Sequence, residues 1–120
     1  MLRHAAMVAI IVFARPALAE GWAMKPGDVS LTSSEIAAFI AKNEVRFYDG
    51  GQSDYGADGT YAYVYSNEDR AEGRYRIEAD GSVCVDFVNG FSRCDLYVRN
   101  GDRVLLIDEK GDRYPLQPWG

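Results

Sequence analysis

Two periodicities divide the chain. In "LTSSEIAAFIAKNE", residues 31 to 44, the apolar side chains of Ile36, Phe39 and Ile40 recur at helical spacing and share one face. The start signals agree with that reading. Thr32 is placed to cap the first turn, Glu35 three residues on can reach back to the Thr32 amide, and Leu31 can staple against Ile36. The pattern predicts one amphipathic helix from about Ser33 to Asn43, with its apolar stripe packed on the core.

Beyond the helix the period falls to two. Turn pairs recur at Asp49-Gly50, Asp58-Gly59, Asp80-Gly81, Asn89-Gly90, Asn100-Gly101 and Gly111-Asp112, with Glu72-Gly73 breaking the one long interval. The alternating runs between them predict strands at about 45–48, 60–66, 73–79, 82–88, 91–99, 103–108 and 112–116. Seven short strands and one helix make a mainly β, α+β domain built as an antiparallel meander. A curled sheet or small barrel is favoured over a flat sheet, because curling removes exposed edges. The strand "TYAYVYS" sets Tyr61, Tyr63 and Tyr65 against Ala62 and Val64, and either face can point inward. The tyrosines would then line a ligand cavity, form an outer ladder for a protein partner, or pack across strands to stabilise the sheet, which is the more ordinary outcome.

Both ends of the chain carry signals of their own. "MLRH" is a short positive segment, "AAMVAIIVFA" an apolar one, and "ALA" at Ala17 to Ala19 supplies the small residues a signal peptidase reads. Residues 1–19 are therefore expected to be a signal peptide cleaved before Glu20, with residues 20–120 forming a single periplasmic or secreted domain. Arg15 and Pro16 interrupt the apolar run well short of the roughly 20 residues that span a bilayer, so no membrane span is expected after cleavage. In the lead-in "EGWAMKPGDVS", Trp22 and Met24 are expected to dock on the core. In the C-terminal "YPLQPWG", Pro115 and Pro118 forbid a regular central strand, leaving Trp119 either folded back or held out for a partner.

Charge narrows the partners. Cleavage would remove Arg3, Arg15 and His4, the only histidine, leaving 13 less two basic side chains against 18 acidic ones, a net charge of −7. Such a surface repels phosphate backbones and anionic headgroups, which excludes nucleic acid.

An exported chain with two cysteines reads as carrying one disulfide. In "VCVDFVNGFSRC" a two-residue Asn89-Gly90 turn would pair Val88 with Phe91 and put Cys84 opposite Asp95, on the wrong face. A three-residue loop over 88–90, with Gly90 in the left-handed region, pairs Phe87 with Phe91 and sets Cys84 opposite Cys94. The bond therefore predicts the turn. Zinc would need ligands that a histidine-free domain lacks, and a redox pair would show C-x-x-C spacing.

Little else carries chemistry. Without a histidine beyond residue 4 there is no catalytic triad or imidazole base, and no P-loop, G-x-S-x-G or dinucleotide fingerprint occurs, so no enzyme activity and no cofactor are expected. Asp86 and Asp95 are the nearest approach to a carboxylate pair, but with ordinary cross-strand neighbours. The loop "YDGGQSDYGADG" offers Asp49, Asp54 and Asp58 to a calcium ion, yet it departs from the EF-hand spacing and reads better as a solvated acidic loop.

The order "LTSSEIAAF", "ADGTYAY", "GRYRIEADGSVCVDF" and then a second cysteine resembles a group of small exported bacterial proteins of uncharacterised function. That resemblance implies a calycin-like or similarly curled β-fold and brings no catalytic residues. Gly73-Arg74-Tyr75 differs in position and residue from the Gly-x-Trp of true lipocalins.

Two functions fit. The first is a non-catalytic accessory or protein-interaction domain of the cell envelope, with Tyr61, Tyr63, Tyr65 and Trp119 as the candidate partner surface. The second is a lipocalin-like binder of a small apolar molecule, in a cavity lined by the same tyrosines and Phe87 or Phe91. About seven short strands leave little interior for a ligand, which favours the first.

Overall fold

The computed structural model describes residues 21–42 and 44–118. The expected signal peptide, the last predicted helical residue Asn43 and the tail residue Trp119 lie outside them. The elements run β1 (Val29–Ser30), α1 (Ser33–Lys42), β2 (Val45–Arg46), β3 (Gln52–Tyr55), β4 (Thr60–Val64), β5 (Arg70–Ile77), β6 (Val83–Phe87), β7 (Ser92–Asn100), β8 (Arg103–Ile107) and β9 (Arg113–Pro115). The helix carries the expected capping box: the Thr32 N–H donates to Glu35 Oε1 at 2.9 Å, and the Glu35 N–H donates to Thr32 Oγ1 at 3.1 Å.

Strands β2 to β9 pair in sequence order as an antiparallel meander, and β1 adds to the later half of β7. The sheet has nine strands where the sequence pattern predicts seven. The two additional ones are β1, two residues long, and β3, whose polar "QSDY" hides the alternation that marks a strand. The sheet curls until its ends meet: Phe47 and Leu116 form an antiparallel bridge, and the Gln117 N–H donates to the Arg46 carbonyl at 2.8 Å. Asp49, Asp54 and Asp58 are thereby spread over a turn, a strand and the next turn rather than one loop.

Six of the hairpins use one device. In the loops 48–50, 57–59, 66–68, 79–81, 88–90 and 109–111, the third residue sits at positive φ and its N–H donates back to the residue before the loop. Five of those third residues are glycine. The sixth is Glu68 at φ 76°, so the turn in the long interval lies at Asn67-Glu68. Glu72-Gly73 instead lies within β5, where a side chain on Gly73 would come within 2.3 Å of the Asp86 carbonyl oxygen. In five loops the central Asp or Asn accepts the N–H two residues on, which explains the recurring Asp/Asn-Gly pairs.

Two apolar layers hold the sheet. On its inner face Ile36 and Ile40 of α1 pack with Val45, Phe47, Val83, Tyr97, Leu106 and Leu116. On the outer face Leu96, Val98, Leu105 and Ile107 are covered by Trp22 and Met24, the docking expected of the lead-in. Among the described residues no helix is long and apolar enough to cross a membrane.

Candidate functional site

A meander alternates its turns between two ends, and this fixes what lies where. Loops 57–59 and 79–81 and the β7–β8 turn share one end with α1, which runs directly into β2; a side chain on Gly81 would meet the Leu31 carbonyl oxygen just before the helix at 2.3 Å. Loops 48–50, 66–68, 88–90 and 109–111 form the other end, which the helix leaves uncovered.

The disulfide hairpin belongs to this helix-free end. Cys84 is paired with Cys94 in register and bonded to it, with Asp86 opposite Ser92. Phe87 and Phe91 flank the loop 88–90, and Gly90 adopts φ 95°. The three-residue register that the sequence requires is the one observed. At the tip Val88 is 84% and Phe91 73% exposed.

The inner face here is polar and aromatic. Along β7 the inward positions are Arg93, Asp95 and Tyr97; the first two share one hydrogen-bonded group, Tyr97 pairs with Tyr55, and the Tyr55 and Tyr61 rings, 5.1 Å apart, bring the two groups together. Arg93 Nε donates to Asp95 Oδ2 at 3.0 Å and its Nη2 to the Tyr61 hydroxyl at 3.3 Å. The Tyr61 and Ser53 hydroxyls are 2.8 Å apart, and those of Tyr55 and Tyr97 are 2.5 Å apart. The Arg93 guanidinium lies 5.9 Å from the Tyr63 ring centre and 5.7 Å from that of Phe87.

Asp95 is the strained member. Its side chain is 3% exposed, and Oδ1 accepts no hydrogen bond from any described residue. Burial pushes its pKa up to about 6, against the pull of the Arg93 charge and hydrogen bond. Burial also raises the phenols of Tyr55, Tyr61 and Tyr97 above an ordinary value at which they are already neutral at physiological pH.

Above this network a cavity of about 250 Å³ opens at the helix-free end, walled by Phe47, Tyr63, Tyr65, Tyr114 and Leu106, with Arg93, Asp95, Asp49 and Asp108 as its charged groups. The rings meet edge to face: Tyr63 and Tyr65 at 4.9 Å, Phe47 and Tyr114 at 6.5 Å between centres. Gly51 makes room for this wall, since a side chain there would fall 1.9 Å from the Tyr63 hydroxyl.

The tyrosine strand thus divides. Tyr61 is buried, Tyr63 lines the cavity and Tyr65 stands half exposed at its rim. Phe87 packs edge to face on Tyr61 at 5.9 Å, while Phe91 points to solvent. Asp86 and Asp95 lie on opposite faces of the sheet and cannot meet one substrate. Arg93, Asp95, Asp49 and Asp108 were not legible as a set: they come from three separate segments, and only curling brings them together. The alternation of Arg93, Asp95 and Tyr97 on one face of β7, opposite the apolar Leu96 and Val98, was the one available signal. No protein-family model, curated protein or solved structure matches the chain.

Proposed function

We propose that this is an exported, non-catalytic docking domain of the cell envelope that binds a protein partner through its helix-free end. The observation that carries the reading is the placement of the exposed apolar side chains. Among the described residues, Tyr65, Val88 and Phe91 belong to the turns or strand ends of that end and Tyr114 lines the cavity that opens there, whereas Tyr48 faces a separate groove with Arg103 and Val104, and Val29 lies elsewhere. Scattered apolar residues are ordinary on a soluble surface, but a collection of aromatics on one end is the composition of an interface. The turns that carry them are already ordered by side-chain caps and, at 88–90, by the disulfide, so docking would lose little conformational entropy. Export is supported by the N-terminal leader pattern and by the disulfide itself. A cavity walled partly by charged groups favours a protein over a small apolar ligand.

Affinity capture from the cell envelope tests this. The residue 20–120 protein should retain a defined protein partner, and the double variant Val88→Asp, Phe91→Asp should lose it with an unchanged melting temperature. Identical capture by both proteins, or a stoichiometric lipid in place of a protein, would remove the reading.

A further inference from the structure

The exposed aromatics account for a surface but not for the charged cavity between them. We propose that this cavity receives an alkylammonium group, the end of a lysine side chain presented by the docking partner. The proposal rests on the docking reading and adds the chemistry of what is recognised.

Four aromatic side chains, Phe47, Tyr63, Tyr65 and Tyr114, and three carboxylates, Asp49, Asp95 and Asp108, converge on the cavity against the single guanidinium of Arg93. Aromatic faces backed by carboxylates attract an organic cation, because ring quadrupole and negative charge act in the same direction. Arg93 shows that these rings accept a cation, since its guanidinium already lies over Tyr63. With that guanidinium engaged by Asp95 and Tyr61, the remaining charge in the cavity is negative.

Asp95 gives the independent indication. A buried carboxylate oxygen without a donor is costly, and natural folds seldom keep one without a use. An ammonium carries three donors and no acceptor, which suits an environment offering carboxylates and phenols. Asp49 and Asp108 use Oδ1 to cap their own turns, and among the described residues Oδ2 of each takes no hydrogen bond.

Size and geometry narrow the cation. The cavity volume of about 250 Å³ falls below the roughly 300–1,000 Å³ of sites for drug-sized ligands and suits a single extended side chain. Among the described residues no three His, Cys, Asp or Glu side chains converge closely enough to hold a metal ion.

The test uses n-butylammonium as the probe, titrated into the residue 20–120 protein and followed by amide NMR shifts. Saturable shifts are expected at Asp49, Tyr63, Tyr65, Arg93 and Asp108, with n-butanol and butyrate producing none. Asp49→Asn and Asp108→Asn should each weaken binding by about fivefold, the scale of one exposed charge contact. Both variants should fold, because Asn67 and Asn89 already cap from the loop position of Asp49, and Asp108→Asn keeps an oxygen to accept the Lys110 and Asp112 N–H groups. No saturable shift, or a preference for butyrate, overturns the proposal even if a partner is captured. Butylammonium binding without any captured protein sinks the docking reading, and lysine as the source with it. Capture that survives acetylation of the partner's lysines likewise overturns the lysine assignment.

Discussion

Asp28 and Arg113, 85 residues apart in sequence, form a two-pronged ion pair: Arg113 Nη1 donates to Asp28 Oδ2 at 2.8 Å and Nη2 to Oδ1 at 2.9 Å. The Asp28 side chain is fully buried, and Asn100 Nδ2 adds a donor to Oδ1 at 2.8 Å. This pair clamps the lead-in, and with it the Trp22 and Met24 cover, to the last strand.

Arg113→Ala should therefore destabilise the domain by about 2 kcal/mol, the scale of hydrogen bonds to a charged group, since Asp28 keeps the Asn100 donor and the Lys25 N–H. The Arg113 hydrogen bonds hold the Asp28 carboxyl well below the usual carboxylate range. The stabilisation is thus complete above about pH 4, the unfolded value, and is lost as pH falls towards the native one. Denaturant unfolding of both proteins across pH 2–7 checks this, the variant losing most of the acid-side slope.

Asp95 acts in the opposite sense. Its pKa is raised by burial to about 6, so between about pH 4 and 6 the native state binds more protons than the unfolded chain, and stability falls as pH rises through that window. With Asp28 acting below it, stability should peak on the acid side, at about pH 4–5. Asp95→Asn should flatten the decline from 4 to 6 in the same unfolding series. A wild-type profile that rises through that window would contradict the assignment.

Reduction of Cys84–Cys94 should lower stability by roughly 2–3 kcal/mol, the loop-closure value for a loop of this size, and less to the extent that the 88–90 turn persists in the unfolded chain. Unfolding midpoints with and without reductant give the number directly. Alkylation of the unreduced protein should label no thiol.

The shared hairpin device makes two substitutions act in opposite directions. Gly90 sits at φ 95° with nothing near its missing side chain, so Gly90→Ala carries only the conformational cost of the left-handed region, about 1 kcal/mol destabilising. Glu68 holds the equivalent loop position at φ 76° with a side chain, so Glu68→Gly should stabilise by roughly 0.5–1 kcal/mol. Thermal unfolding of the two single variants tests the pair.

Much of the fold was legible in the sequence because its rules are local. A capping box needs only Thr32 and Glu35 three residues apart, and an Asp or Asn before glycine dictates a hairpin wherever it falls. Cys84 and Cys94 went further, since their pairing selected one loop length out of two. Local rules failed where local chemistry was silent. Gln52–Tyr55 carries polar side chains, yet it becomes a strand because Val45–Arg46 and Thr60–Val64 present it with two edges to complete. Glu68 took a position that glycine fills elsewhere, which sent the expected break to Gly73, a glycine that is there for close contact with Asp86 on the next strand.

By itself the sequence determined the helix, seven of the nine strands, the turns built on an Asp or Asn before glycine and the disulfide, all of which depend on residues within about one hairpin of each other. Only the tertiary structure decided which face of the tyrosine strand is inside, where the meander closes, and that Asp49, Arg93, Asp95 and Asp108 surround one cavity. The reason is physical: an alternating strand is symmetric between its faces until a curl and a helix choose the inner one. Nothing in a linear chain marks a carboxylate as the neighbour of another forty or more residues away.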